Sequence, residues 1–193
     1  MAGYNKTSAV IDGILKLLVV GGSISTVLVA PNILQMLNKP VSKFFKAMDK
    51  REQERELQRI LYYMKDQGLV SGSYDHGLKI SNKGRKRLER VALEAIAIAK
   101  PRRWDRKWRL VFYDIPERSK IGRHALLGKL KGLGFYQLQR SVLVHPYPCR
   151  EEVVAVSAAY GINQYVSYIE TDHIDQQKLL ISKFRRSLPK TYQ

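Results

Sequence analysis

The 193-residue chain is 45% hydrophobic and 26% charged, the balance of a folded globular protein and not of a disordered or fibrous one. Its single cysteine, Cys149, excludes an intrachain disulfide framework and fits a reducing, cytoplasmic compartment. The formal net charge of +17 selects polyanions as partners, nucleic acid before an anionic membrane surface. That excess is spread along the chain: residues 1–100 hold 17 basic and 9 acidic side chains, and residues 101–193 hold 17 and 8.

The first expected element is a helix capped by Thr7 or Ser8, with Val10, Ile11, Ile14, Leu15, Leu17 and Leu18 at helical spacing and Gly21-Gly22 as its stop. No charge falls in residues 17–38, but Gly21, Gly22, Ser23, Ser25, Thr26, Pro31 and Asn32 interrupt the run. It therefore predicts two short buried helices, not a membrane span, which needs about 20 predominantly apolar residues. Asp12 within the apolar stretch argues against a signal peptide. A second helical stretch covers 24–37, residues 38–40 break it, and 42–65 is helical again in two pieces that part near Asp49. Gly68 closes the last of these. Two short strands follow, Leu69-Val70 and Leu78-Lys79-Ile80, around a turn at Tyr74-Asp75-His76-Gly77. Ser81 then caps a helix through Leu88, Val91, Leu93 and Ile96.

Lys100-Pro101-Arg102-Arg103 reads as a linker between a domain at 1–100 and another at 101–193. The second half predicts a strand at 110–113, a helix at 118–133, two strands at 135–139 and 141–145 joined at Arg140, a helix at 151–160 and a strand at 165–169. The order β-α-β-β-α-β is that of a ferredoxin-like domain. The expected fold class is thus α+β: an N-terminal winged helix-turn-helix followed by a ferredoxin-like domain.

A helix followed at once by a two-stranded ribbon is the layout of a winged helix, in which the helix before the wing enters the major groove of DNA. At about 100° per residue, Leu57, Ile60, Leu61 and Met64 share a core stripe, and Arg51, Arg55, Arg59 and Tyr62 lie opposite. Arginine suits this task because its planar fork pairs with guanine O6 and N7. Glu52, Glu54 and Glu56 are alternative partners for those arginines, as on a solvated helix face. Lys79, Lys83, Arg85, Lys86 and Arg87 form a run fitted to phosphate contacts beside the site.

In the second half, Trp-Arg-Leu-Val-Phe-Tyr-Asp-Ile-Pro-Glu at 108–117, Leu-Lys-Gly-Leu-Gly-Phe at 130–135 and Gln-Arg-Ser-Val-Leu-Val-His-Pro at 139–146 resemble the PaaX-type regulators. These repressors join an N-terminal winged helix to a central ferredoxin-like domain similar to the small nuclease-like subunit of the CRISPR adaptation machinery. The resemblance spans about residues 7–185 and implies a homodimeric repressor of duplex DNA that needs no cofactor. These regulators usually carry a further C-terminal domain. None is expected in the 193 residues, so a ligand-sensing role for such a domain is not carried over.

The CRISPR subunit implies an alternative: a nuclease or DNA-handling subunit in which Asp114, at the end of the first strand, meets its two-fold mate and holds Mg or Mn. A hard cation needs several oxygen ligands, and spacing alone does not bring Asp105 or Glu117 to it. The local expectation is that Asp114 caps the next helix or pairs with Arg118 or Arg123. A non-specific architectural DNA-binding protein is a third reading. Trp104 and Trp108 are expected to pack the two domains together, with Arg102, Arg103, Arg106 and Lys107 solvated around them. Cys149 is expected to be structural, and His76, His124, His145 and His173 show no metal-ligand spacing.

Overall fold

The computed structural model describes residues 2–22, 45–46, 48–73 and 76–189, with the side chains of residues 2–6 left aside. The expected helix at 24–37, the break at 38–40 and the turn residues Tyr74 and Asp75 lie outside the described residues. The chain divides into two units, Met1–Glu94 and Ala95–Gln193. Among the described residues, no helix is long and apolar enough to cross a membrane.

The first unit contains α1 (Ala2–Gly21), α2 (Lys50–Asp66), an antiparallel ribbon of β1 (Val70–Ser73) and β2 (Gly77–Ile80), and α3 (Asn82–Ala95). Helix α1 begins ahead of the expected cap at Thr7 or Ser8 and runs into Gly21. One core joins these elements: Val10, Ile11, Ile14, Leu15 and Leu18 of α1 meet Leu57, Ile60, Leu61 and Met64 of α2, and Leu69, Val70, Leu78 and Ile80 of the ribbon close it.

Local chemistry fixes the start and the end of α2. Asp49 accepts the Glu52 amide at 2.8 Å, and the Glu52 carboxylate accepts the Asp49 amide at 3.0 Å, a complete capping box. Gln53 donates to the carbonyls of Phe45 and Met48, tying the first turn to the segment before it. Gly68, with φ +64°, reverses the chain, a left-handed conformation that favours glycine. Ser81 donates to Gly68 O and accepts the Gly84 amide, so one hydroxyl joins the start of α3 to the end of α2.

The second unit runs β3 (Trp108–Tyr113), α4 (Lys120–Gly132), β4 (Tyr136–Gln139), β5 (Val142–His145), α5 (Arg150–Ala159), β6 (Val166–Thr171) and α6 (Gln177–Lys183). Its strands form one antiparallel sheet in the order β4-β5-β3-β6. The alternation within β3 splits its side chains between the two faces of the sheet. Trp108, Leu110 and Phe112 join Val142, Val144 and Tyr147 in a cluster completed by Leu180, Phe184 and Leu188 of the C-terminal segment.

That cluster holds both tryptophans. Trp104 and Trp108 pack inside the second unit, edge to face at 4.9 Å between ring centroids. The cause is α6 and the residues after it, which supply an apolar cover that the sequence reading did not anticipate. Ile98, ahead of the expected linker, also packs here, so the second unit begins before residue 101.

Candidate nucleic-acid interface

Helix α2 presents two faces of opposite character. Leu57, Ile60, Leu61 and Met64 are buried, while Arg51, Arg55, Arg59 and Tyr62 are exposed. Tyr62 is 71% accessible, an unusual setting for a ring whose burial would be favourable. The acidic neighbours do not neutralise the row evenly. Glu52 is spent on the capping box, and Glu56 holds Arg59 in a two-point pair, with Nε to Oε2 at 2.8 Å and Nη2 to Oε1 at 2.7 Å. Arg55 donates from Nε to the Arg51 carbonyl at 3.4 Å, and among the described residues neither Arg51 nor Arg55 pairs with a carboxylate.

The expected phosphate contacts separate into distinct groups. Lys79 is exposed on β2, at the ribbon position opposite Ser71. Lys83 and Lys86 are exposed and share a cleft of about 350 Å³ with Tyr63, Gln67 and Arg90. Arg90 was missed in the sequence reading, although it lies seven residues after Lys83 on the same helix face. Its pair with Glu94 is long, at 3.8 Å, and exposed. Arg85 is exposed but falls on another side of α3.

Arg87 is engaged within the first unit. Its Nε donates to Asp12 at 2.7 Å and its Nη2 to the Ser8 hydroxyl at 2.8 Å. The two side chains of this ion pair are only 19% and 15% accessible. Arg87 therefore ties α1 to α3, and it also lines the cleft shared by Lys83, Lys86 and Arg90. The partner lies 75 residues away in sequence, so no local pattern announces it.

At the end of β3, Asp114 is exposed. Its backbone amide donates to Tyr165 O at 3.1 Å, but among the described residues its carboxylate has no partner. The expected helix cap and the expected arginine pair are both absent at this side chain. Arg118 donates instead to the Tyr165 hydroxyl, and Arg123 to Glu117 at 2.9 Å. Asp105 is equally engaged: it forks with the buried Arg109, whose guanidinium holds the Asp105 carboxyl below the usual carboxylate range. Among the described residues, no group of three or more His, Cys, Asp or Glu side chains is placed to hold a metal ion. The residues of one copy therefore do not fit a divalent cation at Asp114.

Two further reactive groups are withdrawn. Cys149 is buried, which pushes its thiol up to about 12. His145 is buried among Phe135, Tyr147 and Phe184, and burial lowers it to about 4.

The strand and helix order of the second unit is accompanied by a family match. Residues 101–180 match the family described as the PaaX protein central Cas2-like domain. Over that segment the chain is similar to PaaX proteins, and the match supports a PaaX-like protein. No curated protein matches the chain.

Proposed function

We propose that the chain is a PaaX-like, cytoplasmic transcriptional regulator, a repressor that binds duplex operator DNA as a homodimer and requires no cofactor. The first unit is read as a winged helix-turn-helix, with α2 as the recognition helix and β1–β2 as the wing. The second is read as a ferredoxin-like domain that joins two copies. The observation that carries the reading is the exposed face of α2: Arg51 and Arg55 lie free of carboxylates beside a bare Tyr62, on a helix followed directly by a two-stranded ribbon. The family match at 101–180 and the net charge of +17 favour the same conclusion. Lys79, Lys83, Lys86 and Arg90 supply phosphate contacts at the flank, which fix register without reading sequence.

Footprinting on the DNA upstream of the protein's own gene tests this reading. The expected result is a protected segment with two related half-sites about 10 base pairs, or a multiple of that, apart. Absence of protection at low salt refutes it. A second reading, a metal-dependent DNA-handling subunit, is favoured only by the partnerless carboxylate of Asp114. It requires the Asp114 of a second copy to complete a site. Under the regulator reading, Asp114→Asn leaves operator affinity unchanged, and no Mg- or Mn-dependent cleavage separates wild type from variant. Cleavage that disappears in Asp114→Asn establishes the second reading instead.

A further inference from the structure

The exposed side chains of α2 do not lie where the arginine row alone would put them. At about 100° per residue, Arg51, Arg55, Gln58 and Tyr62 fall within a band of about 60°. Arg59 sits about 70° away from the centre of that band. Gln58 is exposed, and among the described residues its amide has no partner. Arg59, by contrast, is closed on Glu56 by two hydrogen bonds and lines a cleft of about 370 Å³ with Thr7, Ser8 and Ile11 of α1. For Arg59 to reach a base edge it would have to leave Glu56, whose side chain is only 19% accessible, and set a bare carboxylate beside the phosphate backbone.

We infer that Gln58, and not Arg59, is the specificity-determining side chain of the second half of α2, and that it reads an adenine beside a guanine read by Arg55. This rests on the DNA-reading role of α2 and names the bases that role selects. A carboxamide matches adenine because it donates to N7 and accepts from N6 at once, as a guanidinium matches guanine O6 and N7. Arg55 and Gln58 are three residues apart, about 4.5 Å along the helix axis. Base pairs stack about 3.4 Å apart, so the two side chains reach bases one or two steps apart. Tyr62, a turn further on, has an apolar ring available to a thymine methyl or to the sugar edge. Arg59 stays with Glu56 as a neutral pair that borders the band.

The test is selection from a random-sequence duplex DNA library by the full chain, carried out with wild type, Gln58→Ala, Gln58→Arg and Arg59→Ala. Both positions changed, 58 and 59, are exposed on α2, and thermal melts verify that each variant folds as the wild type does. Wild type is expected to enrich a half-site with guanine and adenine within two base steps. Gln58→Ala should lose the adenine preference by about tenfold or more, Gln58→Arg should convert it to guanine, and Arg59→Ala should leave the half-site unchanged. An unchanged half-site with both Gln58 variants, or a guanine position relaxed by Arg59→Ala, overturns the inference while leaving DNA reading intact. No enrichment by wild type removes the reading of α2 on which it rests.

Discussion

Gly84→Ala is the most informative single change in the first unit, because the start of α3 touches the base of the ribbon there. A methyl group at position 84 would lie 2.3 Å from the Leu69 carbonyl oxygen, 2.9 Å from Ile80 Cγ1 and 3.1 Å from Leu15 Cδ2. The Leu69 carbonyl cannot retreat freely, since it accepts the Ser81 amide at 3.1 Å. In an open helix, alanine would be favoured over glycine by about 1 kcal/mol. Overpacking against backbone costs about 1–3 kcal/mol, sometimes more, and the Ser81 bonds to Gly68 and Gly84 are displaced with it. The expected balance is a loss of about 2 kcal/mol, which lowers the urea midpoint by about 1 M at the slope usual for small domains. Circular dichroism in the far ultraviolet reads that loss. The fluorescence of Trp104 and Trp108, which both belong to the second unit, serves as an internal control and should move less. A midpoint unchanged or raised by Gly84→Ala would refute the close approach of α3 to the ribbon.

Arg87→Met should destabilise the first unit by about 1–3 kcal/mol, because it leaves the little-exposed Asp12 unpaired. Lys86→Ala should change stability by less than about 0.5 kcal/mol while reducing the salt dependence of DNA binding by about one ion; urea titrations that reverse this order would contradict the placement of Arg87. His145 is held neutral in the folded protein, at about 4, whereas the unfolded chain takes up its proton near pH 6.5. Stability relative to His145→Phe should therefore be complete above about pH 6.5, fall as pH drops toward 4 and level off below, by about 3 kcal/mol in all. Tryptophan-detected urea midpoints measure the difference, and a flat difference across that window would contradict the burial. Burial also leaves the Cys149 thiol protonated at neutral pH, so an aromatic disulfide reagent should label native protein far more slowly than urea-unfolded protein. Equal rates would show the thiol to be accessible.

Local signals carried most of the elements around α2. Asp49 with Glu52 is a capping box readable from spacing, Gly68 marks the stop, and the apolar pairs on either side of residues 74–77 give the ribbon. The core face of α2 follows from period alone. Long-range pairing was not legible. Arg87 stands in a run of five basic residues and turns inward only because Asp12 and Ser8 of α1 come to meet it. The cover over Trp104 and Trp108 was not legible because α6 is short, and its apolar residues, Leu180 with the following Phe184 and Leu188, recur every four residues without a strong cap. Arg109 is the second residue of an otherwise apolar strand, and its burial makes sense only with Asp105 folded back onto it. Gln58 was passed over because three arginines at intervals of four draw attention to one helical row, whereas the face that solvent sees is a band centred between residues 51, 55, 58 and 62.

The central claim is that the solvent face of α2 reads duplex DNA while the flanking lysines hold its phosphates. Fluorescence anisotropy of a labelled duplex from the upstream region, titrated with the full chain at several salt concentrations, tests it most directly. With Lys79, Lys83, Lys86 and Arg90 on phosphates, the logarithm of affinity should fall against the logarithm of salt with a slope of about −4 per copy. Arg55→Ala should weaken the specific duplex by about tenfold or more and barely affect a scrambled one, and Lys86→Ala should weaken both alike. No binding at low salt, or an equal loss on both duplexes from Arg55→Ala, would contradict the account.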